Sequence, residues 1–149
     1  MRQRTFLAAM LVVLAACGDG HPVGTRLVLT LRAAHARWES NGIPSYELTV
    51  RRLCFCAFVA SVRVRVVDGT IVSRTVVSTG QPVPAMYAED IPDVPGLFAI
   101  VGEAVADADD LDTRFDPVYG FPTEIAIDWD EDAIDDEEGY VVDAFTITP

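Results

Sequence analysis

No lysine occurs in the 149 residues, so all eleven basic residues are arginines. We attribute that bias to GC-rich coding rather than to function. Histidine is nearly as scarce, with only His21 and His35. Neither is surrounded by a nucleophile motif, a phosphate loop or a zinc spacing, so conventional catalysis has little to build on and no cofactor is implied. Beyond residue 16 no segment approaches eighteen consecutive apolar residues, which excludes a membrane-spanning helix there. Basic residues nearly vanish from the second half: between 81 and 149 Arg114 stands alone against nineteen acids, a net of -18. Residues 17 to 80 carry eight arginines against Asp19, Glu39, Glu47 and Asp68, a net of +4. The acidic total argues against nucleic acid as a partner. The two halves are expected to neutralise each other in part, with the surplus solvated.

What is present begins with an address. Arg2 and Arg4 precede an apolar run from Phe6 to Ala16, too short for roughly 30 Å of hydrocarbon but right for a signal peptide. The run closes on Leu14-Ala15-Ala16-Cys17, which resembles the lipobox of bacterial lipoproteins. That resemblance implies cleavage after residue 16 and acylation of Cys17 by a diacylglyceryl thioether and an N-acyl chain. At about 0.8 kcal/mol per buried methylene, several chains hold where one would not. Residues 17–25, rich in glycine and polar groups, read as a tether, and 26–149 as one domain. Asp directly after the lipidated Cys tends to signal inner-membrane retention; here Gly18 holds that position, which favours the outer membrane of a two-membrane cell.

The domain reads as helix then three strands, twice. Leu27, Leu31, Ala34 and Trp38 recur at helical spacing until Asn41-Gly42 and Pro44 stop the run. His35 flanks this stripe and reads as a surface or packing residue. The period then falls to two: Tyr46, Leu48 and Val50, later Val62, Val64 and Val66, alternate with polar residues. Asp68-Gly69 marks a two-residue hairpin turn. That turn predicts Val66 opposite Ile71, Val64 opposite Ser73 and Arg63 opposite Arg74. Pro82, Pro84, Pro92 and Pro95 make the following stretch too proline-rich for a regular element. Asp93 then caps a second helix carrying Val94, Leu97, Phe98, Val101, Ala104, Val105 and Ala108 on one stripe. Strands near 113–115, 123–128 and 140–147 complete the pattern. The expected class is α+β: an antiparallel sheet of about six strands with two helices on one face, in the order αβββ-αβββ.

Three constellations are candidates for chemistry. Arg51, Arg63, Arg65 and Arg74 are expected to share the sheet face away from the valines, where acids of the second half neutralise them or an anion or partner binds. Cys54 and Cys56, the thiols left once Cys17 is lipidated, would point to one face of a flat strand but stand too far apart for a bridge. A bulge or turn there would close the gap, and an exported chain meets oxidising conditions, so a local disulfide is the default. Free or metal-binding thiols and a redox pair stay open, although no helix follows to lower a thiol pKa. Asp128, Asp130 and Asp132 copy the opening spacing of a calcium loop. Ala133 and Gly139 occupy the places where such a loop needs its turn glycine and its bidentate glutamate, which leaves a solvated hairpin loop or weak calcium binding.

Trp38, Tyr46, Cys54-x-Cys56, the valine strand ending in Asp68-Gly69, the Leu97-Phe98 helix, Asp116 and Gly120-Phe121-Pro122 before an isoleucine strand carry a further resemblance. Together they resemble a bacterial envelope family of unknown function across about residues 26–147. The usual family turn reads Gly-Tyr-Pro, and Phe121 here replaces its tyrosine. The resemblance implies exported, often lipidated, small α+β proteins and supplies no functional residues. The functional expectation is therefore a membrane-anchored binding or scaffolding module with an envelope protein partner. A thiol-disulfide protein using Cys54 and Cys56 and an anion binder using the arginine face are the rivals.

Overall fold

The computed structural model describes residues 24–149; the segment 1–16 and Cys17 lie outside the described residues. Helix α1 runs Thr25–Asn41, taking in the last position assigned to the tether. Strands β1 (Tyr46–Cys54), β2 (Ser61–Val67) and β3 (Thr70–Val76) follow, then α2 (Val94–Asp107), β4 (Asp110–Phe115), β5 (Pro122–Asp128) and β6 (Glu138–Ile147). The α+β class and the repeated order of one helix and three strands hold. All six strands join one antiparallel sheet in the order β3-β2-β1-β6-β5-β4. The two halves share an element order but not a placement: the first meander leaves the sheet centre for one edge, and the second returns from the other edge to the centre.

Period-two patterning sets which face is covered. Tyr46, Leu48 and Val50 of β1, Val62, Val64 and Val66 of β2, and Ile125 and Ile127 of β5 are buried beneath the helices. Leu97 and Val101 of α2 descend on them and are fully buried, each apolar side chain contributing about 1.5–3 kcal/mol. Ala34 and Trp38 are the buried positions of α1. The Trp38 indole stands edge-on to Tyr46, Phe145 and Phe121 at centroid distances of 5.4, 5.9 and 6.2 Å, an arrangement the ring quadrupoles favour. Gly42 ends α1 in the left-handed conformation, and Asp93 caps α2 by accepting from Gly96 N at 2.9 Å. Tyr46 Oη accepts from the Val94 amide at 3.2 Å, which ties the central strand to the start of α2. Burial, and after it the Asp93 charge, pushes the Tyr46 hydroxyl far above its ordinary pKa.

Two expectations need correction. The hairpin turn at Asp68-Gly69 has both residues at positive φ, as its sequence requires, and Val66 does face Ile71. A bulge then leaves Val72 without a partner, so Arg65 faces Ser73, Val64 faces Arg74 and Arg63 faces Thr75. Arg74 therefore turns to the helix side, where its Nε donates to the Ile91 carbonyl at 2.8 Å, and the expected Arg63–Arg74 opposition does not form. The proline-rich stretch also contains one short 3-10 turn, Ala85–Tyr87, and a backbone bridge from Thr75 to Pro82. A turn of three residues needs no uninterrupted helical run, so the prolines around it do not forbid it.

Gly120 couples the two halves. It sits at φ +88°, after Asp116 has closed the β4–β5 turn by accepting from the Tyr119 and Val118 amides at 2.6 and 2.9 Å. A Cβ at this position would overlap the Ala34 carbonyl oxygen of α1 and stand 3.0 Å from Arg37 Cβ. Gly120→Ala is expected to cost about 2–4 kcal/mol, combining backbone strain with displacement of α1. Urea unfolding of the two proteins measures it, and a cost below about 0.5 kcal/mol, the range of a neutral surface change, would refute the close approach.

Candidate functional site

Both helices pack on one side, so among the described residues the opposite face of the sheet has no layer over it. Strand register arranges that face in rows. In one, Leu53 of β1 stands beside Gly139 of β6, Ala126 of β5 and Asp112 of β4. A neighbouring row reads Arg51, Val141, Glu124 and Arg114. On the other side Asp128 of β5 faces Asp110 of β4. The small side chains of Gly139 and Ala126 on the two middle strands leave a depression between Leu53 and Asp112. A Cβ on Gly139 would stand 3.6 Å from Leu53 Cβ and begin to fill it. The trough encloses about 490 Å³ and is mostly apolar, floored by Leu53, Ala126, Gly139 and Val141, with Phe55 at one end and Asp110, Asp112, Asp128 and Glu137 around the rim.

The electrostatics of the rim follow from register. Asp110 and Asp128 are ladder partners, and Asp128 also lies among the acids of the following loop. Partial desolvation, then the charges of Asp136, Glu137 and Asp109, raises the Asp128 carboxyl above its ordinary pKa. Among the described residues, Asp110, Asp112, Asp128 and Glu137 form no ion pair.

The arginines of the open face are mostly neutralised. Arg51 binds Asp143 through two bonds, Nε to Oδ2 at 2.7 Å and Nη2 to Oδ1 at 3.0 Å, and that hydrogen bonding holds the Asp143 carboxyl below its usual range. Asp143 reaches this face because β6 bulges between the partners of Thr49 and Val50. Arg65 lies 3.7 Å from Glu47. Arg63 shares the face with both and makes no ion pair among the described residues. Arg74, on the helix side, takes no part. Sequence reasoning thus found three arginines of the open face and missed Asp143, whose orientation depends on a bulge that no pattern announces.

Cys54 ends β1 and Cys56 lies in the bend after it, their Cα atoms 5.2 Å apart and their sulfurs at bonding distance. The bend closes the gap that a flat strand would leave. Phe55, between them, is 85 % exposed, which places an aromatic ring in solvent at the end of the trough. Beside it Arg52 points to the helix side, where its Nε donates to Glu138 at 2.6 Å and its Nη1 lies 3.1 Å from Asp90. Tyr140 Oη donates to the same Glu138 oxygen at 2.7 Å, and burial followed by that acceptor raises its pKa. This network fastens the 77–93 connection to the sheet.

Asp128, Asp130 and Asp132 do not converge. Asp128 belongs to β5, whereas the Asp130 carboxylate accepts from the Asp132 amide at 3.0 Å and shapes the loop. Among the described residues, no group of three His, Cys, Asp or Glu side chains is arranged to hold a metal ion. His35 packs edge-on to Phe98 at 4.7 Å and lies 3.8 Å from Glu39 on the surface of α1.

Because desolvation and then neighbouring acids raise the Asp128 pKa in the folded chain, the cost of its charge is present in full above that raised value and absent below the ordinary carboxylate pKa. Asp128→Asn is therefore expected to raise the melting midpoint at pH 7, with the gain shrinking as pH falls through the carboxylate range. Thermal melts at pH 7 and pH 3 check this, and an equal or opposite effect at both would sink it.

No curated protein and no solved structure matches the chain. A family match runs from the second turn of α1 to the last residue of β6, so it takes in α2, all six strands and the whole open face. Its limits are residues 30–147, and the chain belongs to this family of unknown function (DUF6174).

Proposed function

We propose that this protein is a binding module of the cell envelope, held on a membrane through acylated Cys17, that presents the open sheet face to a partner. The observation that carries the reading is the trough: an apolar depression on a sheet face that no element among the described residues covers. Open concave apolar surfaces with a few convergent charges are where ligands bind. The anchor rests on the Leu14-Ala15-Ala16-Cys17 sequence, and the outer membrane is the favoured address. The eight residues from Cys17 to Gly24 would let the domain stand roughly 27 Å from its lipid, so contact with a neighbouring envelope protein is within reach.

The rival thiol-disulfide reading draws on the pairing of Cys54 with Cys56 in an exposed bend. It lacks the helix N-terminus that such thiols use to lower a pKa, because extended chain and β2 follow the bend. The anion-binding reading keeps Arg63 but loses Arg74 to the core side, and Arg51 and Arg65 to carboxylates.

Cys17→Ser is expected to abolish labelling by radioactive palmitate and to move the chain from the membrane to the soluble fraction. Retention of the variant on membranes would end the lipid-anchor proposal. For the cysteine pair, maleimide labelling after mild reductant is expected to find both thiols still blocked. Facile reversible reduction, with transfer of the disulfide to a substrate dithiol, would favour the redox reading instead.

A further inference from the structure

We infer that the trough receives an extended segment of a partner polypeptide that carries an arginine next to bulky apolar residues; this rests on the open face being the binding surface. The charge pattern selects a cation. Asp110 and Asp128 face each other across the ladder, Asp112 lies one row away, and none has an ion-pair partner among the described residues. A guanidinium seated at this rim would neutralise carboxylates that have no partner among the described residues, and its planar fork suits carboxylates better than an ammonium does.

The apolar end selects what accompanies the cation. Leu53 and Phe55, 42 % and 85 % exposed, stand opposite the acids across Gly139 and Ala126. A bare polyamine or metal ion would leave them in water. Size selects a polypeptide: from β4 to β1 the row crosses three strand spacings, about 14 Å, which an extended segment of about four residues spans. Direction follows as well. The carboxylates without ion-pair partners lie on β4 and β5 and the exposed Leu53 and Phe55 at the β1 end, so arginine lies over β4 and β5 and the apolar residues over β1.

The test uses the full chain in zwitterionic detergent and a fluorescein-labelled peptide of sequence Arg-Arg-Gly-Leu-Phe-Ser, read by anisotropy. Binding is expected to weaken with added salt and to fall about tenfold or more, some 1.4 kcal/mol, when Glu replaces both arginines or Ser replaces Leu-Phe. The double variant Asp110→Asn, Asp128→Asn is expected to lose the same factor while melting no lower than the parent, because it relieves repulsion; Phe55→Ser provides an independent loss at the apolar end. No binding at millimolar peptide, equal binding of the Glu peptide, equal binding of spermidine, or full affinity in the double variant would each overturn the inference. A photocrosslinker at position 53, used in the native envelope, separates the two levels. Adducts to a segment without arginine overturn the partner class and leave the open-face reading standing, whereas no adduct at 53 with strong adducts from a second variant carrying the crosslinker at exposed position 29 of α1 overturns both.

Discussion

The pairing of β1 with β6 is the contact on which the other features rest. It joins strands whose partners lie some 90 positions apart, Arg51 and Asp143 being separated by 92, and it fuses two three-stranded meanders into one sheet. Without it β1 and β6 would each be an edge strand of its own meander; with it they become the two central strands of the sheet. Closing so long a loop is entropically costly, and burial along β1 together with the Trp38, Tyr46, Phe121 and Phe145 cluster offsets that cost. The same pairing sets Leu53 beside Gly139, which brings the acids of β4 and β5 and the exposed Phe55 to the two ends of one trough.

Much of this was legible from local pattern. Period-two valines and isoleucines, the Asp68-Gly69 turn and the Asp93 cap each encode their element within a few residues, and the two-helix, six-strand inventory follows from them. Register between strands is different in kind. The bulge at Val72 shifts Arg74 by one position, and one position changes the face of the sheet on which a side chain lies. The like-charge pair that sequence reasoning looked for among arginines occurs between Asp110 and Asp128 instead. It could not be read from the chain because it requires knowing that β4 and β5 align those two residues across a six-residue connection.

The trough was illegible for the same reason. Leu53, Gly139, Ala126 and Asp112 come from four strands, and none belongs to a motif. Only Gly139 gave a local sign, as a glycine within a strand, where a missing side chain commonly marks a close approach or an opening. Charge asymmetry between the halves was visible from the start. The fold turns part of it into a gradient across the open face, with arginines toward β2 and carboxylates on β4 and β5. Salt links within and between neighbouring strands cancel most of the positive end, while the rim at the negative end keeps its repulsion.

The central position of β6 also fixes an order in time. Synthesis proceeds from the N-terminus, so β1 exists long before its partner, and the sheet cannot close until residues 138–147 have been made. Until then the first meander has an open edge where the middle of the sheet will be. A domain built the other way, with its last strand at the rim, would reach most of its stability before synthesis ended.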